Sequence, residues 1–133
     1  MSSAASPSAA AGTSCEEAAE VKEIMIIIRP KMYFPTKEAL DEAGFYAMTI
    51  RDVIGRGKTP VRYDFDGDGD VIHRFAAKKM INMYVRDEDV DRLVETVVKV
   101  NETNHAGDGK IFIMAAEDAV RVRTGENGIE AIV

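Results

Sequence analysis

A chain of 133 residues can bury a real core as one domain. Its Lys and Arg total 17 against 23 Asp and Glu, a net charge of −6, which excludes a general affinity for nucleic acid or anionic lipid. No apolar stretch approaches a membrane span, and the lone Cys15 builds neither a disulfide framework nor a zinc site.

The first twenty residues, MSSAASPSAAAGTSCEEAAE, are rich in Ala and Ser, with no basic start and no hydrophobic run. They read as a disordered tail over 1–20 and not as a secretory signal, which leaves 21–133 as the domain and points to the cytoplasm. EIMIIIR (23–29) is a β-branched apolar run stopped by Pro30, as expected of a buried central strand. PTKEALDEAG (35–44) predicts a helix, with Pro35 near its start and Gly44 at its C-terminal cap. FYAMTIRDVIG (45–55) alternates as a second strand.

From Gly55 to Ala77 the pattern breaks. GRGKTPVRYDFDGDGDVIHRFAA has four glycines and fits neither period, which predicts a long functional loop, mobile at about 57–77. KKMINMYV (78–85) then reads as a third strand. DEDVDRLVETVVKVN (87–101) has acids in its first turn and Val90, Leu93, Val94, Val97 and Val98 at helical spacing, an amphipathic helix. KIFIM (110–114) is a fourth strand, AAEDAV (115–120) a short helical turn, and RVRTGENG leads to a ragged end.

This order predicts an α+β fold, a ferredoxin-like βαββαβ with one antiparallel sheet and both helices on one face. The other face, bearing Ile, Met and Val, would be left bare, and that predicts self-association.

Four groups of residues bear on chemistry. In HAGDGKIFIM (105–114) two glycines flank an acid and precede a lysine. This is not a Walker A loop, because Asn104 and Ile111 stand where that pattern needs Gly and Ser or Thr. Backbone N–H groups of such a loop can still hold phosphate, and the plain alternative is a tight helix-to-strand turn. In RVRTGE, Arg121 and Arg123 alternate, so on a strand they would present two donor forks on one face, for an anion or for water.

Asp64, Asp66, Asp68 and Gly69 match positions 1, 3, 5 and 6 of a calcium loop. Phe75 replaces the bidentate Glu at position 12, which leaves only a weak calcium candidate beside the reading of an acidic loop tip. His73 and His105 have no partner at metal spacing, and the reading of one of them as a phosphoryl acceptor rests only on analogy of fold.

Taken in order, a strand ending in RP, GRGK at the entry to a long loop, GDGKIFI and RVRTGE strongly resemble the PII signal-transduction family, over residues 22 to 132. RPKMYFPTKEALDEAGFYAMTIRDVIGRGK and KVNETNHAGDGKIF look most like its nitrogenase-associated branch. The resemblance implies a trimer, with ATP or ADP bound between subunits as regulatory ligand and magnesium accompanying ATP. It also implies a regulator, not an enzyme, that acts on a target through the loop.

By the same resemblance Gly107, Asp108, Gly109 and Lys110 form the nucleotide loop, with Arg121 and Arg123 clamping the phosphates. Gly55, Gly57 and Lys58 lie at the loop base beside the nucleotide, and Thr49 near the adenine. Lys78 matches the lysine that pairs with 2-oxoglutarate, but Thr59 replaces the glutamine that helps hold magnesium, which argues against the usual chelate. Val71 replaces the tyrosine that some members have uridylylated, so that modification is not expected.

Tyr63, Asp64, Asp66, Asp68, Asp70 and Val71 make the partner-binding part of the loop, acidic enough to suit a basic patch. The implied target is nitrogenase, with glutamine synthetase or an ammonium transporter as alternatives, and a second PII protein as a possible co-subunit. A weak ATPase or a phosphotransferase is the reading from another class; it lacks a visible base and nucleophile pair.

Overall fold

A computed structural model describes residues 20–58, 61–63, 70–72, 75–105 and 107–133. Asp64, Asp66, Asp68, Thr59 and His73 lie outside the described residues, as does the tail up to residue 19.

The chain runs β1 (Val21–Ile28), a 3-10 turn (Pro30–Met32), α1 (Tyr33–Glu42), β2 (Thr49–Gly55), β3 (Val61–Tyr63) and β4 (Asp70–Ile72). It continues through β5 (Ala76–Arg86), a 3-10 turn (Asp87–Asp89), α2 (Val90–Asn101), β6 (Lys110–Ala116) and a short α3 (Ile129–Ile132). Four strands make one antiparallel sheet in the order β2-β5-β1-β6. That is the expected ferredoxin-like arrangement, with the apolar run β1 at its centre.

Alternation along β1 turns Ile24, Ile26 and Ile28 toward the helices, where Ile81 and Met83 of β5, Leu40 of α1 and Leu93 and Val97 of α2 complete the core. Each is 2% exposed or less, and burying such a side chain contributes about 1.5–3 kcal/mol. The two helices are also pinned by a polar contact. Asn101 Nδ2 donates to Thr36 Oγ1 at 3.0 Å and to the Val97 carbonyl at 2.9 Å, while the Thr36 hydroxyl donates to the Met32 carbonyl at 2.6 Å.

The opposite face carries Met25, Ile27, Met80, Tyr84, Phe112 and Met114 in register, on the side away from the core that α1 and α2 cover. Tyr84 is 48% exposed and Phe112 45%, so the protomer has the bare apolar face that the sequence predicts.

Several boundaries differ from expectation. The second strand starts at Thr49 and not at residue 45, because Phe45 serves the end of α1 instead. Its N–H bonds the Leu40 carbonyl at 2.8 Å and the Gly44 N–H bonds that of Asp41 at 3.0 Å, with Gly44 at φ +92°. This is a Schellman cap, which sends the Phe45 ring into the core. Within the loop, where no period was evident, β3 pairs antiparallel with β4 as a separate ladder. AAEDAV forms no helical turn: Ala115 and Ala116 extend β6 and pair with Lys22 and Val21. The ragged end is instead a hairpin closed by the Val120–Asn127 bridge, followed by α3.

Candidate functional site

The loop from Glu102 to Gly109 lies where α2 hands over to β6, beside the end of β1. Asp108 holds it shut. Its carboxylate accepts from the Thr103 N–H at 2.7 Å, the Asn104 N–H at 3.1 Å and the Thr103 hydroxyl, and Arg29 Nη1 lies 3.2 Å from it. The Thr103 hydroxyl and N–H, with the Arg29 charge in addition, hold the Asp108 carboxyl below its ordinary range despite partial desolvation.

Both glycines are required here. Gly107 has φ +94°, and a Cβ there would meet Arg29 Nη2 at 3.2 Å. Gly109 has φ +120°, and a Cβ there would stand 2.4 Å from the Ile27 carbonyl oxygen. The loop therefore packs its backbone directly onto β1 at a distance only glycine permits. Lys110, next in line, pairs with Ile27 and shares its face of the sheet, so it points to the bare side.

Across that face the register aligns Lys110, Ile27, Met80 and Arg51 in one row. Arg51 is exposed and makes no ion pair among the described residues. Thr49 sits in the next row with Asn82, Met25 and Phe112. Lys78 faces the same side opposite Val53, and Gly55 closes β2 opposite Ala76. Gly57 and Lys58 follow, both exposed. One end of the sheet thus gathers the Gly107–Lys110 loop, Lys78, Gly55 and the base of the long loop.

Arg121 and Arg123 are not part of that gathering. β6 runs seven residues from Lys110 to Ala116, about 20 Å of strand, and the two arginines come after Ala116 in the chain. Neither lies on a strand; both belong to the turn of the hairpin, so they do not share a strand face. Arg121 is paired within the chain, with Nη1 2.7 Å from Glu126 Oε1. In β3 and β4, Tyr63 pairs with Asp70 and Arg62 with Val71 through the backbone ladder.

A cleft of about 390 Å³ opens on the helix side of the loop, lined by Ile28, Val94, Val97, Val98 and Ile111. Asn101, Glu102 and Asn104, with Asp108, Gly109 and Lys110 of the glycine loop, complete its lining. Among the described residues no group of His, Cys, Asp and Glu is placed to hold a metal, and no helix is long and apolar enough to cross a membrane. His105 is exposed, and its backbone N–H is directed at Thr103 Oγ1 at 3.3 Å.

The profile of the family described as nitrogen regulatory protein P-II matches residues 21–126. The chain belongs to the P-II family. A nitrogen fixation nifHD region GlnB-like protein 2 of Methanobacterium ivanovii is 43% identical over 122 residues, covering 85% of this chain and all of that protein. The nitrogen regulatory protein P-II 2 of Methanothermobacter thermautotrophicus is 43% identical over 112 residues, 84% of this chain and 97% of its own. Names of the first kind place the chain with the nitrogen-fixation branch of P-II regulators.

Solved P-II structures share the fold. The B. subtilis GlnK–ATP complex superposes with a TM-score of 0.70 at 27% identity, over 85% of this chain and 96% of that one. Arabidopsis thaliana PII bound to citrate gives 0.66 at 30%, over 84% and 92%.

Two residues of this P-II chain escaped the sequence reading. Arg29 was visible only as the residue before Pro30, yet it braces the glycine loop; the signal is a single cation ending an apolar run. Arg51 becomes relevant once the register places it in the row of Lys110.

Proposed function

We propose that this chain is a trimeric P-II regulator that binds ATP or ADP between subunits and controls nitrogenase by direct contact through the loop after β2. The observation that carries it is the glycine cradle. Gly107 and Gly109 hold the loop backbone against β1 while Lys110 points to the bare face, so an anion there would meet amides and a cation together.

A single protomer offers only half a clamp, because Arg121 and Arg123 lie past the other end of β6. A neighbouring protomer, packed on the bare face, can bring its arginines to the loop, which ties nucleotide binding to assembly. Thr49, Gly55, Gly57 and Lys58 would contact the nucleoside end. Asp108 positions the loop instead of touching the ligand, since Thr103, Asn104 and Arg29 already surround its carboxylate. Its oxygens are occupied by the loop, and the family's description as nitrogen regulatory proteins supports a regulator over an ATPase. Lys78, on the same face and at the same end, would pair with a carboxylate of 2-oxoglutarate, although Thr59 argues against the usual magnesium chelate. Tyr63, Asp70 and Val71, with Asp64, Asp66 and Asp68, would make the segment of the loop that meets the target.

The test is calorimetric titration with ATP and ADP, with and without 2-oxoglutarate and magnesium, against an Arg121→Ala, Arg123→Ala variant. Binding that vanishes in the variant supports the site; a trimer that binds no adenylate at millimolar concentration refutes it. A pull-down from nitrogen-fixing cells recovers nitrogenase subunits if the target is right, and glutamine synthetase or an ammonium transporter if it is not.

A further inference from the structure

Arg121 is engaged by its own protomer on three sides. Nη1 donates to Glu126 Oε1 at 2.7 Å, and Nη2 donates to the carbonyl oxygens of Glu130 at 2.9 Å and Val133 at 2.6 Å. Glu126 is held in place in turn by the Thr124 hydroxyl, which donates to the same Oε1 at 2.9 Å. The hairpin backbone adds two more ties: the Arg121 N–H bonds the Glu126 carbonyl at 2.8 Å and the Gly125 N–H bonds that of Arg121 at 2.7 Å. Arg123, two residues on, has no ion pair among the described residues.

We infer that the segment Glu126–Val133 is a latch that competes with adenine nucleotide for Arg121, an inference that rests on the nucleotide reading above. A guanidinium has five N–H donors in a fixed planar fork, and its terminal nitrogens are the ones that grip a phosphate side-on. Here both terminal nitrogens are committed, one to a carboxylate and one to α3. A phosphate can take them only if Glu126 turns away and Glu130 and Val133 let go.

The exchange is reversible because the contacts are shallow. The Arg121 side chain is 31% exposed and that of Glu126 43%, and exposed ion pairs hold weakly. Charge-assisted bonds to a polyphosphate are stronger, so a bound nucleotide displaces the latch. Coupling of this kind is reciprocal: a ligand that takes Arg121 frees α3, and loss of the latch tightens the ligand. Arg123 then makes first contact, and Arg121 reports the ligand to the C-terminal segment.

The experiment is ATP calorimetry on the full chain, on Glu126→Gln and on a chain ending at Gly128. The latch predicts about threefold to tenfold tighter binding in both variants. Unchanged or weaker binding overturns it. A second measurement needs no variant: saturating ATP should speed hydrogen exchange at the amides of Ala131 and Val133, which bond Gly128 and Ile129. Slower or unchanged exchange there, with ATP bound, also overturns it. If the full chain binds no ATP, the nucleotide reading itself fails and the latch falls with it.

Discussion

The carboxylate of Asp108 accepts the backbone N–H of Thr103 at 2.7 Å and so closes the glycine loop from inside. Removing its charge should loosen the loop without touching the core. Asp108→Asn puts an NH2 group where Thr103 or Asn104 presents a donor, and it cancels the Arg29 pair. The expected result is adenylate affinity lower by about tenfold, measured by calorimetry.

The same carboxylate gives a pH signature. Its folded-state pKa lies below the ordinary value of 3.8, so its contribution to stability is full above that value. The contribution declines as pH falls below 3.8 and is gone below the lowered folded pKa. Urea midpoints of the parent and of Asp108→Asn should differ by a constant amount near neutrality and converge in acid. A gap that persists under strong acid would contradict the assignment.

The two glycines of the loop should not be equivalent. Gly109→Ala drives a Cβ onto the Ile27 carbonyl, which is backbone and cannot yield, at φ +120°. Gly107→Ala meets only the end of the Arg29 side chain, which can move. Chemical denaturation should show a loss on the order of 2–4 kcal/mol for Gly109→Ala and a smaller one for Gly107→Ala. The reverse order would mean that the loop does not rest on β1 as described.

The bare sheet face should govern assembly. Phe112→Asp places a charge in the middle of that face, beside Met25. Sedimentation should then show monomer in place of trimer, and ATP binding should fall with it, since a lone protomer lacks its neighbour's arginines. A monomer that binds ATP as tightly as the parent would place the whole site within one chain.

How much of this was legible in the sequence follows from where the information is local. β1 and α2 were readable because a β-branched run stopped by Pro30 and a valine stripe at helical spacing are local patterns. Phe45 misled because it looks like strand alternation, whereas the Schellman cap at Gly44 claims it for the core. Arg121 misled for a similar reason: alternation with Arg123 implied a shared strand face, but the Val120–Asn127 bridge turns the chain there. Glu126, five residues beyond Arg121, was in view as part of RTGE, but nothing local says that a hairpin will fold it back. The glycines of GDGK were conspicuous; the carbonyl that explains Gly109 comes from Ile27, far away in the chain.

The most direct test of the account is an ATP titration of trimers formed by co-expressing Lys110→Ala and Arg123→Ala chains. Each variant alone should bind poorly, one lacking the loop lysine and the other the clamp. In mixed trimers some interfaces join an intact Lys110 to a neighbour's intact Arg123, so about a quarter of the parental sites should return under random assembly. If the mixture binds no better than either variant alone, Lys110 and Arg123 do not meet across a subunit boundary, and the shared-site account is wrong.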